Sequence, residues 1–135
     1  MPGIMSDNDV GRQFAALLLI LTGETWKETW ASLACPVHTF ESIGLSRQAP
    51  DREVWLECQK HEILLVTGNR NDEGLDSLET TLRTLNTLQS LPVFTLGDPQ
   101  RVLQSRKYAE QVAARVLEYL QNIDNHRGAG QLYVP

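Results

Sequence analysis

Apolar residues in this chain come in short runs closed by turn-forming or polar residues, with helical spacings between them. The clearest run is Ile63-Leu64-Leu65-Val66, which gives way to Thr67-Gly68-Asn69-Arg70-Asn71-Asp72. A run this short, apolar at every position and bounded by turn formers, predicts a buried central strand. Gly3-Ile4-Met5-Ser6, followed by Asp7-Asn8-Asp9, predicts a first strand with acids at its carboxyl end. Val37 to Phe40 alternates and predicts a second strand. Pro92 to Leu96, closed by Gly97-Asp98-Pro99, predicts a strand late in the chain.

The intervening stretches carry helical periods. Val10 to about Leu33 predicts a helix with Leu17, Leu18, Leu21, Trp26 and Trp30 on its buried face, bent or divided at Thr22-Gly23-Glu24. Thr25 and Glu28 have the spacing of a capping box for the second piece. Glu41 to Pro50 has no period and is expected to be a loop with Ile43 and Leu45 turned inward. Pro50 to Lys60 predicts a helix with Val54, Trp55 and Cys58 inward. Asp51 stands in its first turn, where a carboxylate suits the helix dipole. A helix beginning at Asp76-Ser77 carries Leu78, Leu82 and Leu85 on one face and ends near Asn86. One long helix is expected from about Pro99 to Ile123. The tail, residues 127–135, is expected to be an edge strand or a docking segment, with Gly128 and Gly130 loosening the chain before it.

Strands and helices thus alternate along the whole chain, without an internal repeat, a low-complexity segment or a linker. Right-handed crossovers turn that order into a parallel sheet covered on both faces. The expected fold class is α/β: a single-domain three-layer sandwich with a mainly parallel sheet of about four or five strands. The length of 135 residues suits one domain, and 41% hydrophobic with 21% charged residues suits a globular one. The longest apolar run, Phe14 to Leu21, is far short of the roughly 20 residues of a membrane span, so no membrane partner is expected. The start of the chain lacks the basic region of a signal peptide. The two cysteines, Cys35 and Cys58, form neither a disulfide framework nor a zinc spacing. Both read as reduced thiols of a cytoplasmic protein. A net charge of -5 argues against a broad nucleic-acid-binding face. It leaves room for a local site at which metal ions supply the positive charge.

The candidate chemistry lies at the strand ends, because ligands of open α/β sheets collect at the carboxyl edge. Asp7 and Asp9 follow the first strand; Asn69, Asn71 and Asp72 follow the Ile63 strand; Asp98 follows the Pro92 strand. Asp51, at a helix start, can approach from the side. Oxygen donors of this kind suit Mg²⁺ or Mn²⁺. Asp and Asn are also ordinary turn and capping residues. The signal is that three separate segments deliver them to one edge. His38 reads as a strand residue, no His pair has ligand spacing, and there is no phosphate loop or dinucleotide fingerprint. Arg101, Arg106, Lys107 and Arg115 give the last helix a basic character that usually marks a solvated face.

On these residues the chain resembles PIN-like domains, small α/β nucleases that include toxins of bacterial toxin–antitoxin pairs. Ile4-Met5-Ser6-Asp7-Asn8-Asp9-Val10 is similar to the opening strand and Asp motif of that family. Pro50-Asp51-Arg52-Glu53 is similar to its acid at a helix start, and Thr67-Gly68-Asn69-Arg70-Asn71-Asp72 to its acidic turn. The similarity runs from Gly3 to about Leu96. It implies an Mg²⁺- or Mn²⁺-dependent ribonuclease, with RNA as substrate and a small antitoxin-like protein as partner, and it leaves a homo-oligomer open. In this likeness Asp7, Asp51 and Asp72 are catalytic and Asp7, Asp9 and Asp51 hold metal. Asn69, Arg70 and Asn71 contact substrate. The chain departs from the family where Asn69 and Asn71 replace acids, which implies weaker metal binding or a catalytically weakened member. A second resemblance, to haloacid-dehalogenase-like phosphatases, rests on Asp7-x-Asp9-Val10, Thr67-Gly68-Asn69 and Gly97-Asp98. It implies Asp7 as nucleophile, Asp9 as acid/base and Asp98 as Mg²⁺ ligand, but the Lys that family carries between its last two motifs is missing. A non-catalytic interaction module, binding a partner through the aromatic and Leu-rich first helix or the tail, is the third reading.

Overall fold

The structure, a computed structural model, describes residues 1–68 and 77–135. Four strands, β1 (Gly3–Ser6), β2 (Ile63–Gly68), β3 (Val93–Leu96) and β4 (Gln131–Val134), form one sheet in the order β1-β2-β3-β4. Every pairing is parallel, with Met5 opposite Leu65, Val66 opposite Phe94 and Thr95 opposite Tyr133. Among the described residues six α-helices accompany them: α1 (Gly11–Leu21), α2 (Lys27–Leu33), α3 (Asp51–Lys60), α4 (Leu78–Leu85), α5 (Pro99–Gln104) and α6 (Arg106–Gln121). The expected three-layer α/β sandwich is therefore present, and the tail supplies its last strand.

The two faces of the sheet explain the apolar runs. Ile4, Leu64, Val66, Phe94 and Leu96 meet α1, α5 and α6 on the first face. Met5, Ile63, Leu65 and Val93 meet α3 and α4 on the second. A strand covered on both sides has no polar alternation to show, and residues 63–67 of β2 are buried accordingly. On the first face α1 buries Phe14, Leu17, Ile20 and Leu21. In α6 the buried series Tyr108, Val112, Val116 and Leu120 recurs at four-residue spacing. Those stripes pack against each other and against the sheet.

Three local expectations are corrected. Only Val37 of the expected Val37–Phe40 strand pairs, in a single parallel bridge to Ile4 on the outer side of β1. Pro36 has no N–H to extend the ladder. Thr39 and Ser42 then bond each other's backbone N–H groups, at 2.9 and 3.1 Å, and turn the chain into a 3-10 turn at Glu41–Ile43. Trp26, not Thr25, caps α2, and it makes no side-chain cap bond, so the Thr25–Glu28 box is not formed. The long final helix is two, because Ser105 leaves helical geometry (φ -129°, ψ 111°) and its hydroxyl accepts from the Tyr108 N–H at 3.2 Å.

The order of crossovers positions the site. From β1 the chain passes over the first face to the Val37 bridge, returns over the second face with α3 to β2, and reaches β3 through α4 on that same face. The last crossover, through α5 and α6, lies on the first face while still moving towards β4. Its hand is therefore opposite to that of the other three, a departure from the usual uniform right hand. As a result the chain leaves β1 and β3 over one face and β2, between them, over the other. Such reversals open crevices at the carboxyl edge. At Gly68 the first-face side is closed: an added Cβ would stand 3.2 Å from Val10 Cγ1 and 3.6 Å from the Pro99 ring.

The opposite edge is tied by polar contacts. The Gln59 side chain donates to the Leu91 carbonyl at 3.0 Å and accepts from its N–H at 2.9 Å, fixing the approach to β3. Arg127 reaches Glu62 at 3.0 Å, Asp124 at 2.9 Å and the Gln89 carbonyl at 2.9 Å, joining the entries of β2, β3 and β4. Back at the carboxyl edge, Gly97, just past β3, has no room for a side chain because the Pro135 carbonyl lies against it.

Candidate functional site at the carboxyl edge

Asp7 is the residue that the fold places most deliberately. Its N–H donates to the Val66 carbonyl at 2.8 Å, which carries the β1–β2 ladder one step past the strand. Extended geometry (φ -66°, ψ 157°) then lets it cap the 3-10 turn Asn8–Val10, with a carboxylate oxygen 2.7 Å from the Asn8 N–H. The residue is 9% exposed. A carboxylate that buried must be held by hydrogen bonds or opposite charge. The same backbone step leads into α1, so the acid stands where β1 ends and the first helix begins.

Beside it lies a cleft of about 380 Å³, between the end of β1, the first turns of α1 and the 37–47 segment. Its lining combines the apolar side chains of Phe14, Leu18 and Val37 with the polar groups of Asp7, Asn8, Thr39, Glu41 and Arg47. The 37–47 segment is anchored by the Asn8 side chain, whose Nδ2 donates to the Arg47 carbonyl at 2.7 Å. Arg47 and Glu41 pair at 3.5 Å, both well exposed. The apolar side chain of Leu45 is buried beneath, as expected from the sequence. The His38 ring lies over Gly3, where an added Cβ would come within 2.5 Å of it.

The other candidate acids are distributed as follows. Asp51 opens α3, and its Oδ2 accepts from the Leu78 N–H at 3.3 Å, beside the Ser77 cap of α4. Since α3 runs down into β2 and α4 down into β3, this contact lies near the carboxyl edge. Asp9 is an exposed member of the 3-10 turn. Asp98 is exposed and caps α5, accepting from the Arg101 N–H at 3.2 Å. Asn69, Arg70, Asn71, Asp72 and Asp76 lie outside the described residues. Among the described residues no three His, Cys, Asp or Glu side chains come together as a metal-ligand set. The donor type still fits a hard cation in a minimal form. Mg²⁺ is commonly held by one or two carboxylates with waters and substrate oxygens completing the shell, and Asp7 is the residue suited to that role.

Arg47, Glu41 and Thr39 were not indicated by the sequence. They fall in a stretch without a period, and their approach to Asp7 depends on the Asn8–Arg47 bond across the chain.

Cys58, on α3, feels the site electrostatically. Burial pushes its thiol from 9.0 up to about 12, with the charges of Asp7 and Glu57 adding to the effect. Burial likewise raises Cys35 from 9.0 to about 11, partly offset by the N-terminal ammonium. Both thiols are therefore protonated and unreactive at neutral pH. Unfolded, they ionise near pH 9; folded, they keep their protons to about 11 and 12. Between those limits the native state binds more protons than the unfolded one, so this contribution is whole below pH 9 and is lost as pH rises through the folded values. The urea midpoint is expected to fall between about pH 8 and about pH 10.5, and to fall less in Cys58→Ala. Equal slopes in the two proteins would contradict a protonated buried Cys58.

Among the described residues no helix is long and apolar enough to cross a membrane. No protein-family model, curated protein or solved structure matches the chain.

Proposed function

We propose that the chain is a divergent, PIN-like, metal-dependent ribonuclease, or a catalytically weakened relative of one, acting at the cleft beside Asp7. The observation that carries this reading is the placement of Asp7: a buried carboxylate at the end of β1, where adjacent crossovers leave the sheet over opposite faces and a cleft opens. Asp7 holds a fixed negative charge at the cleft wall, oriented by the Asn8 N–H. Asp51 contributes a second carboxylate from the start of α3, held against α4. A bound Mg²⁺ or Mn²⁺ supplies an activated water and offsets charge on a phosphodiester. Asn8 and the Thr39–Ser42 turn hold the 37–47 segment in place. The PIN-like resemblance adds Asp72 as a catalytic acid and Asn69, Arg70 and Asn71 as substrate contacts, all outside the described residues. Cytoplasmic residence and a small antitoxin-like partner belong to the same proposal.

The test is cleavage of single-stranded RNA oligonucleotides by the purified chain with Mn²⁺, Mg²⁺ or a chelator. Metal-dependent cleavage above that of an identically purified mock sample is expected. Equal activity with and without chelator, or none above the mock sample in either metal, would overturn the reading.

A further inference from the structure

We infer that the cleft beside Asp7 is a mononucleotide subsite, in which Arg47 takes the phosphate and the Phe14–Leu18–Val37 surface takes the base. The inference deepens the ribonuclease reading and rests on it for the choice of nucleic acid as ligand. Three observations support it. The cleft lining is mixed: Phe14, Leu18 and Val37 supply apolar surface, and Asn8, Thr39, Glu41 and Arg47 supply polar groups. A nucleotide has the same division, a flat apolar ring joined to a hydrogen-bonding sugar and an anion. At about 380 Å³ the space is near the lower end of ligand pockets, roughly 300–1,000 Å³, which suits one such unit rather than a duplex.

The second observation is electrostatic. A chain of net charge -5 with Asp7 at the cleft needs a local cation to accept a phosphate. Among the described lining residues Arg47 is the one that always carries positive charge. The third is that Arg47 is held by its neighbours. Its backbone is clamped by the Asn8 amide at 2.7 Å, and its guanidinium rests on Glu41 at 3.5 Å. An exposed pair of this length is weak. A phosphate, which accepts two parallel N–H bonds from a guanidinium, competes well with it. Glu41 is thus a resting partner for the group that binds the ligand, and Asn8 is a positioning residue for the loop that carries it.

Calorimetric titration of the full chain with adenosine 5′-monophosphate, adenosine and inorganic phosphate separates the parts. Expected is binding of the monophosphate in preference to either fragment. Arg47→Ala is expected to weaken the monophosphate by about 10- to 100-fold and leave adenosine unchanged. Glu41→Gln is expected to tighten the monophosphate by about 2- to 5-fold. Ala15→Trp, at an exposed position of α1 on the cleft wall, is expected to weaken adenosine and the monophosphate alike. Inorganic phosphate binding as well as the monophosphate, or an Arg47→Ala protein with unchanged affinity, would overturn the inference. The two readings can fail separately. Metal-dependent RNA cleavage whose KM is unmoved by both Arg47→Ala and Ala15→Trp leaves the ribonuclease and removes the subsite. The stated binding pattern without any cleavage keeps the subsite and removes the ribonuclease.

Discussion

Asp7→Asn is expected to reduce metal-dependent RNA cleavage by about 100-fold or more while leaving the protein folded, a loss on the order of 3 kcal/mol of transition-state stabilisation. The two halves of that expectation have different causes. Asparagine keeps an acceptor oxygen at the position that receives the Asn8 N–H, so the cap of the 3-10 turn survives. What disappears is the charge, and an amide carbonyl is a poor substitute for a carboxylate at a hard cation. A third readout is independent of activity. Because the Asp7 charge helps to hold the Cys58 thiol up, its removal should let that thiol ionise at lower pH. Asp98→Asn is the matching control. That residue is an exposed cap of α5, so RNA cleavage should be unchanged. Cleavage that persists in Asp7→Asn, in protein free of contaminating nuclease, removes Asp7 from the reaction. Loss on Asp98→Asn, together with turnover of a phosphate monoester, points to the phosphatase chemistry instead.

Asp51 shows why a carboxylate at this edge has to be judged by its contacts. Its acceptor bond to the Leu78 N–H joins the starts of two helices on the second face. The same contact serves packing and keeps a charged oxygen near the edge where Asp7 stands. Asp98, among the described residues, bonds within its own helix and is otherwise exposed.

The parts of the molecule that were legible in the sequence are those in which one segment determines its own state. Ile63 to Val66 is apolar throughout because β2 is covered on both faces, so its run pointed to a central strand. The acids after Ser6 were legible for a related reason, since an apolar run that stops at Asp7 puts that residue at a strand end. Where the outcome depends on a distant partner, the pattern misled. Val37 to Phe40 alternates like a strand, yet Pro36 and the reciprocal Thr39–Ser42 bonds end it after one bridge. Ser105 sits inside an unbroken helical period, and its extended backbone and its cap bond to the Tyr108 N–H show it starting a new helix. Arg47 had no signal at all, because its place at the cleft is made by Asn8, far away in sequence. The opposite hand of the last crossover likewise follows from α6 packing on α1, which alternation along the chain cannot encode.

That packing is the basis of the largest stability effect expected in the protein, from Phe94→Ala. Phe94 is fully buried at the middle of β3, opposite Val66 on one side and Leu132 on the other. Its ring faces α6, with the Tyr119 ring centroid 5.7 Å away and tilted by 32°. Truncation removes the transfer energy of a whole aromatic side chain and leaves a cavity between sheet and helix. β3 is bonded to β2 on one edge and to β4 on the other, which limits how far the sheet can close into it. Such changes cost about 3–5 kcal/mol. For a domain of this size that amounts to a melting temperature lower by roughly 10–20 °C. Leu19→Ala is the contrast: the same first face is nearby, but Leu19 is 76% exposed, and a change within about 0.5 kcal/mol is expected. Chemical unfolding of the two variants beside the wild type measures both. Because α5 and α6 cross the first face between β3 and β4, the loss at Phe94 should also loosen β4 first, seen as faster amide exchange at Leu132 and Val134 than at Leu64. A Phe94→Ala protein as stable as Leu19→Ala would mean that the opposite-handed crossover does not seat α6 on the sheet as described.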